Sequence, residues 1–365
     1  MINSYANRKN GNLNSCLSGG RLLTQPDSAF SQAGLEGEAA MPISRRAALA
    51  SAVALCIAET RAHANSAYPT KQVTMVVAAT AGSGPDVLAR IVADRLSRMW
   101  GQQITVISKT GNYGAVALQA ATTTPADGHT LVVSIASSFI VWPEIQKAAA
   151  VELQREIIPI GLLGVQPMVI AVNPSLGAST LPELIAIIQQ RPDEILYGGF
   201  RATLPHLTGL RMASAAALKW RFIPSQGPRA VQDAIGGSIH VVIESMAALA
   251  SPMQAGLLKG LAVVSASRLP DFPDLPTVGE VVPQLSGFDV RGWLALTART
   301  GTPEAIIQKI NRDIRTIMTD PEVARRLSAL GIYPRPLTPD ETAAFIQHEK
   351  DLWRPTVQSL DLATQ

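Results

Sequence analysis

The stretch that decides the fold is Val76–Ser97, which reads VVAATAGSGPDVLARIVADRLS. The apolar run TMVVAA predicts a short buried strand, and AGSG breaks it. After Pro85, apolar side chains recur at three- and four-residue spacing, which predicts an amphipathic helix. A strand, a glycine turn and a helix in this order aim free backbone N–H groups and the positive end of the helix dipole at one point. The stretch therefore predicts a site for an anion, although its turn contains no lysine.

Strand and helix patterns alternate along most of the chain, which predicts an α/β protein with mainly parallel sheets and helices on both faces. The long apolar segment IIPIGLLGVQPMVIAVNPS has a proline near its middle and predicts two strands with a break. Several strand-to-helix turns are rich in small residues: TAGSG, SIASS, GGFRAT and PSQGP. Ligands of such sheets bind at the carboxyl ends of the strands, so these turns predict a polar site built mostly from backbone.

Composition limits the classes of protein that fit. The chain has 365 residues, of which 47% are hydrophobic and 16% charged, so it can form a large core and is expected to divide into two domains. The net charge is +3 and the isoelectric point is near 8.9. Lysine and arginine are scattered and form no basic stripe interleaved with aromatic residues, which argues against nucleic-acid binding.

The N-terminal region indicates export. Arg45 and Arg46 precede the apolar run AALASAVALCIA, which is too short to span a membrane, and AHA follows as a cleavage site. Residues 41–64 are therefore predicted to be a signal peptide cleaved near Ala64, for Sec or twin-arginine export. The alternative is a buried N-terminal helix.

The residues before this segment are polar, and 1–40 are expected to be a disordered extension or the product of a start site placed upstream of Met41. The two cysteines, Cys16 and Cys56, both precede the predicted cleavage site. A mature chain without cysteine has no disulfide, no thiolate nucleophile and no cysteine-ligated metal. We expect a soluble protein outside the cytoplasm.

Enzyme and cofactor motifs are not found. The turn AGSGPD lacks the lysine of a phosphate-binding loop, and Val87 stands where a dinucleotide fingerprint has its third glycine. No nucleophile elbow is present, and no two histidines have metal-ligand spacing. The sequence thus predicts no cofactor, no metal and no catalytic residue.

Four polar residues stand out in the expected cleft: Glu244 is expected to face it, and the other three each have two interpretations. Asp86 begins a helix and either contacts a ligand or orders the glycine loop, and His206 either caps a helix or faces the cleft. Glu244 follows an apolar strand and has no second acid beside it in the sequence. Arg201 is either an exposed loop residue or a cation that holds a carboxylate in a bidentate fork.

Taken together, several segments resemble the tripartite tricarboxylate transporter receptors, also called Bug solute-binding proteins. They include YPTKQVTMVVAATAGSGPDVLARIVADRLS, TPADGHTLVV, LYGGFRATLPHLTG and QAGLLKGLAVVSASRLPDFPDLPTVGE. The resemblance covers about residues 68–355, and its most specific phrase is PDFPDLPTVGE.

The resemblance implies a type II periplasmic binding protein fold, with two α/β lobes and a ligand cleft between them. It implies lobe 1 at 65–167 and 272–365, lobe 2 at 168–271, and closure about crossings near GVQPMV and SASRLPDFP. It also implies a set of ligand-binding positions. These are Ala79, Thr80, Gly82, Ser83, Gly84, Asp86, Ser134, Ala136, Ser137, Arg201, Thr203, His206, Ser225, Gly227 and Glu244.

This chain departs from the family pattern at the cleft. AATAGSG lacks the phenylalanine and both prolines of the usual first loop, and GGFRAT is shorter than usual and carries Arg201. IPSQGP lacks the usual tyrosine, and the strand end reads Ile243-Glu244 in place of Phe-Asp. The departures predict an altered pocket in which Arg201 replaces a water-mediated contact to a carboxylate.

The sequence therefore predicts a monomeric, non-enzymatic periplasmic receptor. Its ligand is expected to be a small organic, amino-acid-like or aromatic acid. The receptor would deliver it to a tripartite tricarboxylate-type membrane permease or to a sensor kinase. The alternatives are an exported α/β enzyme acting on a small acid, which would need a nucleophile or an acid–base pair in the cleft, and a partner protein that has lost ligand binding.

Overall fold

The computed structural model describes residues 68–225 and 229–360. The predicted signal peptide at 41–64, the segment 1–40 with its start site, and both cysteines lie outside the described residues, as does Gly227. Within the described part of the chain, no helix combines the length and apolar composition needed to cross a bilayer.

The opening stretch folds as its pattern predicts. Strand β1 (Val73–Val77) leads through the glycine turn into helix α1 (Gly84–Trp100). Pro85 lies in the first turn of α1, where its missing N–H removes no helical hydrogen bond. Gly101 ends the helix at a φ of 64°, which glycine adopts without a Cβ clash.

The other elements continue the alternation. The remaining strands in the described ranges are β2 (Ile104–Ser108), β3 (Thr130–Ile135), β4 (Ile157–Val172), β5 (Leu196–Gly199), β6 (Arg221–Pro224), β7 (Val241–Ser245), β8 (Lys259–Val264), β9 (Arg291–Arg299) and β10 (Tyr333–Pro334). The remaining α-helices there are α2 (Ala115–Thr122), α3 (Ser137–Ile140), α4 (Trp142–Ile145), α5 (Lys147–Arg155), α6 (Leu181–Gln190), α7 (Leu204–Ala216), α8 (Arg229–Ile235), α9 (Met246–Gln254), α10 (Val278–Val281), α11 (Glu304–Met318), α12 (Pro321–Ser328) and α13 (Pro339–Gln358).

One long strand joins two sets of strands into a continuous sheet. The order is β2-β1-β3-β9-β4-β7-β5-β6, and β8 and β10 also pair with β4. Residues 157–167 of β4 pair with β9, and residues 168–172 pair with β7 and β8. The first part of β4 therefore belongs to a lobe with β1, β2, β3, β9 and β10, and its last part belongs to a second lobe with β5, β6, β7 and β8.

The exchange of partners occurs at Pro167. This residue is the last in β4 paired with β9, and Met168 is the first paired with β7 and β8. The chain returns to the first lobe at Val290, whose N–H donates to the Val264 carbonyl (3.0 Å) and whose carbonyl accepts from the Met168 N–H (3.3 Å). Both crossings between the lobes thus lie side by side.

The predicted break into two strands at Pro167 is wrong, because β4 is a single strand of 16 residues. Register shifts between Pro159 and Gly161 and between Leu162 and Gly164 bend it instead.

The expectation of mainly parallel sheets is wrong at the centre, where β4 and β9 run antiparallel to their neighbours. The pairs β1–β2, β1–β3, β5–β6 and β5–β7 are parallel, as expected.

The segment after β8 keeps its contacts with that strand beyond residue 272. Thr277 forms a bridge with Val263 of β8, and Leu275 packs in the same apolar cluster as Val263 and Val169. The segment that follows β8 therefore stays with the second lobe until Val290. The proline-rich phrase PDFPDLPTVGE lies within this segment and ends in the short helix α10.

The core lies on both faces of the sheet. One apolar cluster is shared by the two lobes and contains Val132 of β3, Ile170 of β4 and Tyr197 of β5. The opposite face carries a separate cluster in each lobe, under α1 and α11 in the first and under α9 in the second. Each large side chain buried there contributes about 1.5–3 kcal/mol to folding.

Gly209 allows α7 to pack closely on β5. A Cβ atom at this position would lie 2.4 Å from Cε2 of Tyr197, a ring that is only 1% exposed. We expect Gly209→Ala to lower the free energy of unfolding by about 1–3 kcal/mol in urea denaturation, because the buried ring cannot move aside. Ser214→Ala, at an exposed position on the same helix, is the control and should change stability by less than about 0.5 kcal/mol. Equal effects would contradict the close approach.

Candidate functional site

The antiparallel pairing at the centre of the sheet turns the two lobes head to head. Strands β1 and β3 are parallel to each other, β9 runs against β3, and β4 runs against β9 and toward the second lobe. Strand β7 runs against β4, and β5 is parallel to β7. The carboxyl ends of β1 and β3 therefore point toward the second lobe, while those of β5 and β7 point back. The loops at these four ends form the candidate cleft.

Asp86 orders the first of these loops. Its carboxylate is only 2% exposed, and it accepts hydrogen bonds from the Gly82 N–H (2.9 Å), the Ser108 hydroxyl (2.8 Å) and the Arg90 guanidinium (2.9 Å). Burial alone would raise the pKa of Asp86, but these hydrogen bonds lower it below its ordinary value. Both oxygens of the carboxylate accept hydrogen bonds from the protein. This geometry corresponds to the interpretation in which Asp86 orders the glycine loop.

The glycine turn itself lies open, and its end touches the other lobe. Thr80 and Gly82 are exposed, while Ala79, Ser83 and Gly84 are half-buried. A Cβ on Gly84 would lie 2.9 Å from Nε2 of Gln166 on β4 and 3.8 Å from Cβ of Ala247 on α9. The first turn of α1 therefore approaches both the crossing strand and the second lobe, and a larger residue at Gly84 would displace the Gln166 amide.

The second predicted loop contributes less than expected. The Ser134 side chain is fully buried, and its hydroxyl lies 2.9 Å from that of Thr297 on β9. The hydroxyl is held inside the sheet, so a contact of Ser134 with a ligand stays a prediction for its backbone groups. Ala136 is 4% exposed, and Ser137 is half-buried at the start of α3.

His206 holds the loop that precedes α7. Its Nδ1 accepts from the Ala202 N–H (3.1 Å), where Ala202 has a φ of 56°, and its ring stacks on Phe222 at 3.7 Å. Burial, with a smaller contribution from nearby Arg201, lowers the pKa of His206 to about 4. The imidazole is therefore neutral at neutral pH and carries its proton on Nε2. Thr203 is half-buried, and its hydroxyl donates to the Phe200 carbonyl (2.6 Å).

Arg201 differs from these residues because it is charged and its side chain has no hydrogen-bond or carboxylate partner in residues 68–225 and 229–360. Its side chain is half-buried, and its Nε has no hydrogen-bond partner among the described residues. Within the same part of the chain, no carboxylate lies within 4.0 Å of its guanidinium. A guanidinium without a carboxylate partner can donate two parallel hydrogen bonds to the carboxylate of a ligand.

Ser225 follows β6 and is used within its own lobe. It is 7% exposed, its N–H donates to the Gly199 carbonyl (2.9 Å), and its hydroxyl donates to Asp233 on α8 (2.7 Å).

Glu244 lies at the carboxyl end of β7. Its side chain is half-buried and folds forward, so that Oε1 accepts from the N–H of Ser245, the N-cap residue of α9 (3.0 Å). No lysine or arginine lies within 4.0 Å of it in residues 68–225 and 229–360. Burial raises its pKa to about 7, and the hydrogen bond from Ser245 offsets only part of that rise. Near neutral pH this carboxyl can either donate or accept a proton.

Sequence reasoning missed two aromatic residues and one amide at the cleft. Tyr113 after β2 reaches Phe200 and the Arg201 carbonyl, with ring centroids 6.0 Å apart. Gln166 stands beside Gly84. Glycines on both sides of Asn-Tyr in TGNYG were the available signal for an unusual turn. Within the described ranges, no group of three His, Cys, Asp or Glu residues is placed to hold a metal ion.

Two lobes joined by paired crossings, with loops facing each other across a cleft, define a solute-binding protein of the periplasmic type. The family of tripartite tricarboxylate transporter receptors matches residues 88–362. BugT of Bordetella pertussis is 32% identical over 80% of this chain and 90% of its own length. A UPF0065 protein of Bordetella bronchiseptica is 31% identical over 81% of this chain and 87% of its own length.

Solved structures agree with these relatives. Rpa4515 of R. palustris, determined with adipate, superposes with a TM-score of 0.74 at 26% identity, over 80% of this chain and 97% of that one. The periplasmic binding protein BugD gives 0.70 at 25% identity, over 80% and 98%. This chain belongs to the tripartite tricarboxylate transporter receptor family, whose members are periplasmic solute receptors.

The role of Asp86 can be tested by stability. We expect Asp86→Asn to lower the free energy of unfolding by about 1–3 kcal/mol at pH 7, because three donors lose a charged acceptor. The folded pKa of Asp86 is lowered, so its contribution is present above its ordinary pKa of 3.8 and is lost as the pH falls through the lower folded value. The difference from wild type should therefore narrow in acid. Asp94→Asn removes an exposed carboxylate from the same helix and should cost less than about 0.5 kcal/mol.

Glu244 has the opposite pH dependence. Its folded pKa of about 7 lies above its ordinary value of 4.5, so its contribution to stability is present below pH 4.5 and is lost as the pH rises through 7. We expect Glu244→Gln to gain on the order of 1 kcal/mol relative to wild type between pH 5 and pH 8, after allowance for its partial exposure. Denaturation across this range measures the gain, with Glu152→Gln as a control for charge removal at an exposed site. If the stabilities of wild type and Glu244→Gln changed in parallel with pH, the raised pKa of Glu244 would be contradicted.

Proposed function

We propose that this protein captures a small carboxylate between its two lobes and releases it unchanged to a partner. The observation that carries the proposal is Arg201, a half-buried guanidinium without a carboxylate partner among the described residues, on a loop that faces the opposite lobe. Family membership supports the class of protein, and Rpa4515, which was determined with adipate, supports the class of ligand.

In this proposal the ligand is held by few side chains and many backbone groups. The guanidinium of Arg201 binds one carboxylate group. In the open turn at 80–84, the Gly82 N–H donates to Asp86 and the Ser83 N–H to the Thr80 carbonyl. The other N–H groups of this turn, at residues 80, 81 and 84, are therefore the ones proposed to bind the ligand beside the start of α1, where the helix dipole favours a negative charge. Ser137, Thr203 and Glu244 lie at the other strand ends, and Gly227 belongs to the proposed set on the resemblance alone. Asp86, His206 and Ser225 shape the loops from behind, by the contacts described above.

Closure takes place about the two neighbouring crossings. We place the lobe boundaries between Pro167 and Met168 and at Val290, so the second lobe extends beyond the residue 271 expected from the resemblance. The short hydrogen-bonded ladder of Met168, Val264 and Val290 supports a hinge there, because it is the place where β4 changes partners. Small changes of backbone angle at this point move whole lobes.

The rival proposal, an exported enzyme, finds less support. A hydrolytic or acid–base mechanism needs a nucleophile beside a base. Ser134 is sealed inside the sheet, Ser225 donates to Asp233, and His206 uses Nδ1 to accept from Ala202. Glu244 stands without a second acid within the part of the cleft that the structure describes. A non-enzymatic receptor is therefore the better proposal.

Location and partner complete the proposal. We propose that the chain is exported, cleaved near Ala64, and active as a monomer in the periplasm. Its partner is a membrane permease of the tripartite tricarboxylate type, with a sensor kinase as the alternative. Membership of a family of transporter receptors supports the permease.

The direct experiment is native mass spectrometry of protein purified from the periplasm, followed by isothermal titration with succinate, malate, adipate, citrate and benzoate. A carboxylate bound one to one and recovered unchanged is the expected result. Conversion of any of these acids would favour the enzyme. A protein that is empty and binds none of the panel would favour the partner that has lost its ligand.

Arg201 gives the matched mutational test. We expect Arg201→Ala to weaken binding of the tightest acid in the panel about 10- to 100-fold, because a charged hydrogen bond contributes about 1.5–3 kcal/mol. Arg201→Lys should recover part of the loss, since it restores the charge without the bidentate fork. Arg98→Ala, which removes an arginine that is 64% exposed in the last turn of α1, is the control. Unchanged affinity in Arg201→Ala would remove Arg201 from the site.

A further inference from the structure

The segment after β2 has an unusual backbone. Four consecutive residues have positive φ angles: Gly111 (126°), Asn112 (45°), Tyr113 (54°) and Gly114 (95°). Glycine and asparagine tolerate this region, but a tyrosine there is strained by on the order of 1 kcal/mol. Such strain persists only where surrounding contacts maintain it, and it concentrates at functional sites.

Contacts within the first lobe hold the turn in place. The Gly114 N–H donates to the Gly111 carbonyl (2.9 Å), and the Ser138 hydroxyl donates to the Tyr113 carbonyl (3.1 Å). A Cβ on Gly114 would lie 2.2 Å from Oγ of Ser138, so only glycine fits at this position. The main chain at Tyr113 is therefore fixed independently of where its side chain points.

The Tyr113 side chain reaches across the cleft to the second lobe. Its ring centroid lies 6.0 Å from that of Phe200 at an interplanar angle of 43°, and its hydroxyl donates to the Arg201 carbonyl (3.4 Å). Phe200 is 41% exposed, which is high for a phenylalanine, and Tyr113 is half-buried. Both residues follow carboxyl ends of strands, so the contact lies at the rim of the cleft and joins the two lobes.

We propose that Tyr113 is a ligand-retaining residue, which forms with Phe200 a clasp that closes the cleft beside Arg201. The proposal rests on the proposed receptor function. An aromatic pair contributes about 0.5–1.5 kcal/mol beyond its buried area. Because the pair spans the lobes, it exists only in the closed state and shifts the balance from open to closed by about 2- to 10-fold. A contact formed after capture acts on dissociation more than on association.

The backbone of the turn offers a variant that separates folding from binding. Glycine adopts a φ of 54° without strain, so Tyr113→Gly removes the ring while keeping the native turn. Relief of the backbone strain should offset part of the packing that the ring makes with the shared apolar cluster, so we expect the melting temperature to stay within about 5 °C of wild type. Phe200→Ala removes the partner ring, and Tyr113→Phe keeps the ring while removing the hydrogen bond to Arg201. Leu352→Ala, at a side chain 37% exposed on α13, is the control.

The test is the dissociation rate measured by stopped flow, using adipate or the panel acid that wild type binds most tightly. Tyr113→Gly and Phe200→Ala should each raise the rate about 2- to 10-fold, with association changed less than about twofold. The double variant Tyr113→Gly/Phe200→Ala should dissociate at the rate of the faster single variant. Of all the variants, Tyr113→Phe should have the dissociation rate closest to that of wild type. Unchanged dissociation, or additive effects of the two changes, would overturn the clasp alone. If wild type binds no acid in the panel, the receptor function fails and the clasp fails with it.

Discussion

The architecture depends on one strand that exchanges its partners partway along its length. Strand β4 pairs with β9 up to Pro167 and with β7 and β8 from Met168 onward. Strand β4 keeps one direction through both lobes. The strands paired on either side of it are therefore oriented so that the carboxyl ends of β1 and β3 face those of β5 and β7. Proline suits the exchange point, because it has no N–H to leave unpaired when the ladder changes. The return crossing at Val290 bonds to this point, and the lobes therefore share one hinge region.

The cleft built on this frame separates polar groups into two kinds. Asp86, His206 and Ser225 satisfy their hydrogen bonds within their own lobe, and this saturation holds the loops in shape. Among the described residues, Arg201 has no carboxylate partner, and the Glu244 carboxyl group accepts a hydrogen bond only from the following N–H. Groups with spare bonding capacity in a partly desolvated cleft can discriminate among ligands, because their interactions are least screened there. The aromatic contact of Tyr113 with Phe200 adds a connection that depends on the lobes being close.

Local patterns predicted most elements, and they failed where the fold is decided at long range. The strand, turn and helix of Val76–Ser97 follow from residue spacing and from glycine and proline positions. The proline within IIPIGLLGVQPMVIAVNPS predicted a break, because proline usually ends a strand. It lies instead where β4 changes neighbours, which sequence periodicity does not encode. The short helices α3 and α4 are not evident from the sequence, because segments of four residues carry little periodicity.

The sequence by itself determined the alternation of strands and helices, the small-residue turns at the strand ends and, through resemblance, the family. The tertiary structure decided which polar side chains find a partner within the described ranges. Ser134 and Arg201 both lie in small-residue segments at the carboxyl ends of strands. The Ser134 hydroxyl is buried and hydrogen-bonded to that of Thr297, whereas Arg201 lacks a carboxylate partner in the described chain. The reason is physical: spacing along the chain sets local conformation, but a hydrogen bond needs a partner brought close in space. Thr297 is 163 residues away from Ser134, and only the folded sheet brings the two together.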